Sequence, residues 1–221
     1  MNYNWQFHLL YQYWPVFVHG AVVTLQITFG ATLLGLVIGF PVGIARQSHS
    51  SILRGVSTVY VEAIRSTPAL VQLFWVYYCF PVLFDIQLGA ETAVILTLGI
   101  HSGAYIAEIV RAGVESVDRG QMMAARSIGM AHLAALRRII LPQAVQRMIP
   151  PFINEFANLM KLSTLGSTIA VYELLQESNN LISQTYRPLE VYTFLAIVFF
   201  LITFPWIWIS RQLEKKIKKN A

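Results

Sequence analysis

The stretch of sequence that decides the fold is residues 17–45, which read FVHGAVVTLQITFGATLLGLVIGFPVGIA. A helix needs about 20 mainly apolar residues to cross roughly 30 Å of hydrocarbon, so this stretch is long enough to tilt or to extend beyond the bilayer. Its glycines recur at four- or five-residue spacing, which lets a neighbouring helix approach closely. They are Gly30, Gly35, Gly39 and Gly43. The stretch therefore predicts a membrane-spanning helix with a packing face.

Four further stretches are apolar enough to span, at roughly 57–80, 90–111, 143–162 and 190–210. Over all 221 residues, 56% are hydrophobic and 12% are charged. The charged share is about half the 25% of an ordinary soluble domain, which points to the bilayer. We therefore expect an all-α integral membrane protein with five transmembrane helices. The length suits a single domain over residues 1–221.

The segments between these stretches differ in character. Residues 1–15 carry Trp5, Phe7 and Tyr11, and such side chains favour the membrane interface, so this segment is expected to lie on the surface. Residues 163–189 predict a partly helical connection on the outer side. Residues 112–142 are basic, and their apolar positions recur near helical spacing, so we expect one or two short amphipathic helices on the cytoplasmic face.

Orientation follows from the basic residues, twelve of the sixteen lysines and arginines lying on one predicted side. They are Arg46, Arg54, Arg111, Arg119, Arg126, Arg137, Arg138, Arg211, Lys215, Lys216, Lys218 and Lys219. The positive-inside rule makes this side cytoplasmic, so the N-terminus is predicted outside and the C-terminus inside. The formal charge of +5 is then explained by topology and contact with membrane lipid, and no nucleic-acid partner is expected.

The predicted cytoplasmic segment holds the most specific motif. Gly120–Gly129 read GQMMAARSIG, and 137–144 read RRIILPQA. This pattern resembles the "EAA" signature of ABC-importer permeases, in which a glycine follows four residues after the EAA triplet and I-x-L-P precedes a membrane helix. The positions that match are Ala124, Ala125, Gly129, Ile139, Leu141 and Pro142. Met123 stands where the signature has glutamate, so the charged contact to the ATPase is expected to be absent there, and Glu115 and Asp118 nearby are the candidates to replace it.

Three further segments narrow the resemblance to the polar amino acid permeases of the histidine, glutamate, glutamine and arginine type. Residues 65–72 read RSTPALVQ, 104–111 read AYIAEIVR, and 150–165 read PPFINEFANLMKLSTL. Together the similar segments cover roughly residues 16–210 in unbroken order. Leu162 replaces an acidic residue that is common in that family, which weakens a prediction of arginine- or lysine-type cargo.

The resemblance implies a type I ABC-importer permease fold with cytoplasmic coupling helices, in a bacterial inner membrane. It implies a second permease subunit, identical or homologous, two ATPase subunits docked on 112–142, and an extracytoplasmic amino-acid-binding protein. Docking is implied for Met123, Ala124, Ala125, Gly129, Leu141 and Pro142. The sequence has no G-x-x-x-x-G-K-(S/T) loop, so ATP and Mg²⁺ are expected on the partner ATPase, with no cofactor or metal in this chain and no enzyme activity of its own.

Polar residues within the predicted spans are candidates for cargo contacts because burying them in hydrocarbon is costly. On helical geometry Asn154 and Asn158 share a stripe with Arg147 and Lys161, and Glu155 lies beside it. Glu155 either receives an ammonium or cationic group of the cargo or pairs at a subunit interface. His101 and Gln72 are further candidates, with a buried structural role as the alternative for His101. Glu62 and Arg65 can pair with each other, and Cys79 is expected to be a packing residue.

Other classes of protein make different predictions. A simple interfacial helix would explain 112–142 without a partner. A secondary transporter would carry its own ion-coupling site and work without an ATPase. An intramembrane enzyme would need a catalytic pair at matched depth, for which His101 and Glu155 are the nearest candidates, and a channel would conduct without nucleotide.

Overall fold

The computed structural model describes residues 3–219, and all regular secondary structure in that range is helical. The α-helices are α1 (His8–Gln12), α2 (Trp14–Ala45), α3 (Ser51–Arg65), α4 (Ala69–Phe84), α5 (Ala90–Glu115), α6 (Arg119–Ser127), α7 (His132–Ala135), α8 (Leu141–Leu162), α9 (Leu174–Thr185) and α10 (Pro188–Lys219). A π-helical turn at Trp75–Cys79 lies within α4, and another at Leu136–Ile140 joins α7 to α8. Ser163–Ile169 form a 3₁₀-helix. The predicted all-α class is confirmed.

Within the described residues, α2, α5 and α10 are each long and apolar enough to cross a membrane, and α3 with α4 makes a fourth span if this bent pair is one crossing. The sequence predicted one continuous span over 57–80, but the helix breaks between Arg65 and Ala69. Pro68 explains the break, because proline lacks an N–H and keeps the preceding Thr67 out of helical geometry. α8 is 22 residues long and carries three charged residues, Arg147, Glu155 and Lys161.

The chain forms two compact units. The first contains the residues up to Leu33, Thr67–Gly99 and Ala157–Pro205, and the second contains Leu34–Ser66, Ile100–Phe156 and the chain from Trp206 onward. Helices α2, α5, α8 and α10 contribute residues to both units. The predicted single domain 1–221 also includes residues 1–2 and 220–221, which lie outside the described residues.

In the first unit, the start of α2 packs against the segment that leads into α9. A Cβ on Gly20 would lie 2.9 Å from the Leu174 Cα, so only glycine allows this approach. The Thr24 hydroxyl oxygen accepts a hydrogen bond from the Leu174 N–H at 3.3 Å. The fully buried Glu173 carboxylate accepts the N–H groups of Leu175 and Gln176, both at 2.9 Å. These contacts fix the first turn of α9, whose leading N–H groups have no partner within the helix.

In the second unit, the glycine face predicted on α2 packs against α5. A Cβ on Gly39 would lie 2.6 Å from the carbonyl oxygen of Gly103, and one on Gly43 would lie 2.8 Å from that of Ala107. Backbone groups cannot yield as a flexible side chain can, so glycine is required at both positions. The predicted close approach of a neighbouring helix is therefore confirmed, and the neighbour is α5.

Large apolar side chains remain exposed along the long helices, among them Leu33 (66% exposed), Val37 (65%) and Leu201 (61%). In water such a surface would promote aggregation. In a membrane protein, lipid or another subunit is expected to cover it. Cys79 belongs to this exposed set. The prediction that Cys79 is a packing residue is therefore wrong, because the π-helical turn around it has no buried residue.

Candidate functional site

Helix α8 positions the candidate carboxylate. Glu155 is buried in the second unit, with 8% of its surface exposed. Asn154 precedes it in the same unit and is exposed, whereas Asn158 is half-buried and belongs to the first unit. An ionisable side chain buried in an apolar helix must meet a cation, water or a hydrogen-bonding partner. Glu155 is buried, as its position within a predicted span suggested. Either role considered for Glu155, contact with the cargo or pairing at a subunit interface, would give its carboxylate a partner.

Helix α5 holds the second candidate. His101 is buried in the second unit, 6% exposed, and its ring centroid lies 5.0 Å from that of Tyr105, one turn further along the helix. Next to it, Ser102 is fully buried, and its hydroxyl has no hydrogen-bond partner among the described residues. A Cβ on Gly35 would lie 3.0 Å from that hydroxyl, so α2 covers Ser102 closely. His101 therefore has an aromatic neighbour on its own helix, and the residue that follows it packs tightly against α2.

Gln72 lies in α4, in the first unit, and is half-buried. Its side-chain amide donates to the Thr67 carbonyl at 3.1 Å and to the Thr67 hydroxyl at 2.7 Å. These two hydrogen bonds join the Gln72 side chain to Thr67, on the other side of Pro68. Gln72 thus also stabilises the break that precedes α4.

A cluster of six charged residues, which was not predicted from the sequence, occupies the second unit. Its members are Arg46 at the end of α2, Glu62 and Arg65 in α3, and Glu108, Arg111 and Glu115 in α5. Glu108 contacts Arg46 and Arg111 directly, and Arg65 Nη1 lies 3.8 Å from its Oε2. Arg46 is also 3.8 Å from Glu62, and Arg111 pairs with Glu115. We call this group the ionic cluster.

The ionic cluster changes the expected pairing of Glu62 with Arg65. Each of these residues pairs with a residue of another helix, Glu62 with Arg46 and Arg65 with Glu108. Packing of α3 beside α5 is the physical reason, since Val61 shares a buried cluster with Ala104 and Ala107. The signal that could have found Glu108 was its spacing of three residues from Arg111, the spacing of neighbours on one helix face.

The segment with the glycine motif forms a defined turn. Asp118 caps α6 by accepting the N–H of Gly120. At the other end Gly129 has φ of +82°, the Gly129 N–H donates to the Arg126 carbonyl at 3.0 Å, and the Met130 N–H donates to the Ala125 carbonyl at 3.2 Å. This is the Schellman arrangement, in which a left-handed residue, usually glycine, ends the helix. Backbone geometry therefore favours glycine at position 129.

Residues 119–133, which we call the α6 turn, expose apolar side chains. Met123 is 65% exposed, Ile128 78% and Leu133 73%, while Ala125 is buried at 2%. Ala124 and Gly129 are exposed, as are Leu141 and Pro142 at the start of α8. We call this exposed apolar set the α6 surface. Asp118 caps a helix and Glu115 pairs with Arg111, so both carboxylates considered as substitutes for a glutamate at position 123 already make contacts within the chain.

The chain is similar to known transport proteins over most of its length. Residues 31–219 match the family model described as "Binding-protein-dependent transport system inner membrane component". The glutamine transport system permease protein GlnP of Escherichia coli (strain K12) is 36% identical over 205 residues, covering 92% of this chain and 94% of that protein. The L-cystine transport system permease protein TcyB of Bacillus subtilis (strain 168) is 35% identical over 208 residues, covering 94% and 88%.

A solved structure shares the fold at nearly full length. The chain from the crystal structure of an amino acid ABC transporter with histidines superposes with a TM-score of 0.91 at 36% identity, covering 97% of this chain and all of that one. The match to the family model covers most of the chain, and the relatives span it almost completely. The chain belongs to the family of binding-protein-dependent transport system inner membrane components.

Proposed function

We propose that this chain is the membrane-spanning permease subunit of an ATP-driven importer for polar amino acids. The observation that carries the proposal is the near full-length similarity to permeases named for glutamine and L-cystine, together with the 0.91 TM-score to a subunit of an amino acid ABC transporter. The spans are α2, the α3–α4 pair, α5, α8 and α10, which makes five crossings. The chain lies in a bacterial inner membrane with its N-terminus outside and its C-terminus in the cytoplasm.

The partners follow from the class of transporter. Two ATPase subunits bind ATP and Mg²⁺ and dock on the α6 surface, an extracytoplasmic binding protein delivers the amino acid, and a second permease completes the pathway. Met123, Ala124, Ala125, Gly129, Leu141 and Pro142 belong to or flank the docking region. A rigid turn with exposed apolar side chains suits this role, because it can seat in a groove and follow the motion of its partner. The absence of a charge at position 123 is compensated by the apolar area of Met123 and Ile128.

The cargo contacts are proposed on polar residues of the helices. Glu155 receives the amino group or a cationic side chain, and His101, Gln72, Asn154 and Asn158 supply further hydrogen bonds. Transport then proceeds by alternating access, in which ATP binding and hydrolysis by the partner shift the population between inward- and outward-open states.

One experiment tests the class and the cargo together. The chain is purified from its native membrane, its bound partners are identified by mass spectrometry, and the complex is reconstituted in liposomes for uptake of the twenty standard amino acids and L-cystine. We expect an ATPase subunit to co-purify and at least one polar amino acid to enter only when ATP and the binding protein are supplied. Uptake by this chain alone without ATP would instead indicate a secondary transporter. A complex that takes up no amino acid in the panel would contradict the proposed cargo.

A further inference from the structure

A cavity of about 760 Å³ lies at the ends of three helices in the second unit. Its walls come from the start of α6, the start of α8 and the end of α10. The polar residues that line it are Asp118, Gln121, Gln143, Gln146, Arg147 and Lys216. Sites for small molecules commonly have volumes of about 300–1,000 Å³, so this cavity is large enough to hold a ligand.

One hydrogen bond fixes how α8 and α10 approach the cavity. The Ser210 hydroxyl of α10 donates to the Pro150 carbonyl of α8 at 3.1 Å, and Ser210 is fully buried. The cavity is lined by the start of α8 and by the end of α10, so the chain runs in opposite directions along the two helices from this contact. Arg147 lies three residues before Pro150, and Leu213 lies three residues after Ser210. Distance from the contact along either helix therefore measures depth in the cavity.

The lining becomes more polar with distance from that contact. Ile149 on α8 and Leu213 on α10 are the lining residues closest to it along their helices, and both are apolar. Gln143 and Lys216 lie further out, together with the apolar Ile217. The proposed orientation puts these outer ends at the cytoplasmic surface of the membrane. The cavity thus suits a ligand with a polar head at that surface and an apolar part that extends into the bilayer.

The charge of the lining favours an anion. Neither Arg147 nor Lys216 forms an ion pair with any residue that the structure describes. A guanidinium carries five N–H donors, and the described hydrogen bonds use one of those of Arg147, which donates to the Ser116 carbonyl. Among the described lining residues Asp118 is the one acid, and its carboxylate already accepts the Gly120 N–H. Two cations against one carboxylate leave the lining positively charged.

We propose that this cavity binds the phosphate of an anionic phospholipid of the cytoplasmic leaflet. Arg147 and Lys216 bind the phosphate, and the acyl chains extend past Ile149 and Leu213 into the bilayer. A planar guanidinium can donate two parallel hydrogen bonds to a phosphate, and basic pockets between helices on the cytoplasmic side are suited to anionic headgroups. A soluble phosphate would leave the apolar part of the lining in contact with water. The inference does not depend on which cargo the protein carries.

The test measures binding of phosphatidylglycerol and of zwitterionic phosphatidylcholine to the permease purified with its native partners. Native mass spectrometry in about 0.15 M ammonium acetate counts the bound lipids, and at this ionic strength charges that do not contact the lipid are screened within about 8 Å. A basic residue near a membrane surface is worth about fivefold in affinity for an anionic lipid. We expect wild type to prefer phosphatidylglycerol, and Arg147→Gln and Lys216→Gln each to lower its affinity for phosphatidylglycerol by about fivefold.

Lys215 provides the matched control. It is the exposed neighbour of Lys216 on α10 and does not line the cavity, so Lys215→Gln removes the same charge and should keep the wild-type affinity. A second variant, Gln146→Trp, fills the cavity without a change of charge and should weaken binding of phosphatidylglycerol. An equal loss in Lys215→Gln and Lys216→Gln would show a general surface attraction and overturn the inference.

Other outcomes would overturn it as well. They are equal affinity of wild type for the two lipids, or wild-type affinity for phosphatidylglycerol in Lys216→Gln and Gln146→Trp. These two variants decide the question even if Arg147→Gln, which loses the bond to the Ser116 carbonyl, fails to assemble. Glycerol 3-phosphate has the phosphate without acyl chains and should not displace phosphatidylglycerol at equal concentration. Displacement at equal concentration would assign the cavity to a soluble phosphate of the cytoplasm instead of a lipid.

Discussion

Glu173 combines a structural role with an unusual ionisation. Its buried carboxylate accepts two backbone N–H groups at the start of α9. Burial raises the pKa of Glu173 from an ordinary value of 4.5 to about 7, against the opposing effect of the two hydrogen bonds. Because the folded protein holds this proton up to a higher pH than the unfolded chain does, the contribution of Glu173 to stability falls as pH rises from about 4.5 to about 7.

Replacing Glu173 with glutamine should remove this pH dependence. The amide oxygen can still accept one N–H, so the variant loses one hydrogen bond, about 1 kcal/mol. At pH 5 we expect a lower melting temperature than wild type, and towards pH 8 the difference should shrink. The measurement is thermal unfolding in detergent from pH 5 to 8, with Glu91→Gln, an exposed carboxylate of α5, as the control. Parallel curves for wild type and Glu173→Gln would contradict the expected titration.

Glu155 is the residue at which the proposed cargo contact is tested most directly. Glu155→Gln keeps the size of the side chain and removes its charge. A hydrogen bond to a charged group is worth about 1.5–3 kcal/mol, so we expect about a tenfold loss of uptake efficiency or more. The measurement is ATP-driven uptake in liposomes, with Glu91→Gln again as the control. Loss of the permease pair in Glu155→Gln would assign Glu155 to a subunit interface instead, and unchanged uptake by an intact pair would contradict the cargo contact.

At the scale of the element, two variants of Gly129 can distinguish the effect of backbone strain from the effect of lost ATPase docking. Gly129 has φ of +82°, and a Cβ there would meet nothing within 4 Å. Any other residue at this position therefore carries the strain of left-handed geometry, about 1–2 kcal/mol, but no clash within the chain. Gly129→Ala and Gly129→Leu share that strain and differ in bulk. We expect the leucine variant to lose co-purification of the ATPase and the alanine variant to keep most of it. Equal retention in both would argue against docking at this turn.

The contact of α2 with α5 is tested by two glycines in different surroundings. A Cβ on Gly39 would lie 2.5 Å from Ile106 Cγ2 and 2.6 Å from the Gly103 carbonyl oxygen, whereas one on Gly55 in α3 would meet nothing within 4 Å. Overpacking costs about 1–3 kcal/mol, so Gly39→Ala should lower the melting temperature. Gly55→Ala should leave it unchanged or raise it, because alanine favours a helix by about 1 kcal/mol over glycine. Equal melting temperatures for the two variants would show that α2 can shift to make room.

The elements were predictable where one residue type dictates local structure. Apolar runs predicted the long helices, and the apolar spacing within residues 112–142 predicted short helices there, although it did not show that Gly129 ends α6 in left-handed geometry. The ionic cluster was missed because its charges come from α2, α3 and α5 and meet only when these helices pack. For the same reason periodicity could not show that Cys79 is exposed. Among the candidate site residues, the burial of Glu155 and His101 was predictable from their apolar surroundings, whereas the hydrogen bonds of Gln72 to Thr67 depend on the break at Pro68.

At the scale of the whole molecule, the distribution of basic residues predicts which ends of the helices face the cytoplasm. The only cysteine in the sequence, Cys79, can be replaced by serine to give a cysteine-free background. In that background Gln87→Cys lies between α4 and α5, and Lys215→Cys lies near the end of α10, both at exposed positions. We expect a membrane-impermeant maleimide to label Gln87→Cys in intact spheroplasts and Lys215→Cys only after permeabilisation. The reverse pattern would invert the proposed orientation.

The glycine face of α2 has a consequence for how the protein is made. Lipid tails are as apolar as leucine, so burial of apolar surface gives two inserted helices little reason to leave the lipid for each other. What α5 offers α2 at Gly39 and Gly43 is backbone carbonyl oxygen at very short range, an environment that lipid does not provide. The pairing of these two helices is then a step of assembly after insertion, governed by shape and by competition with lipid. A membrane whose lipids pack well into grooved helix surfaces would slow this step, even though every helix had inserted correctly.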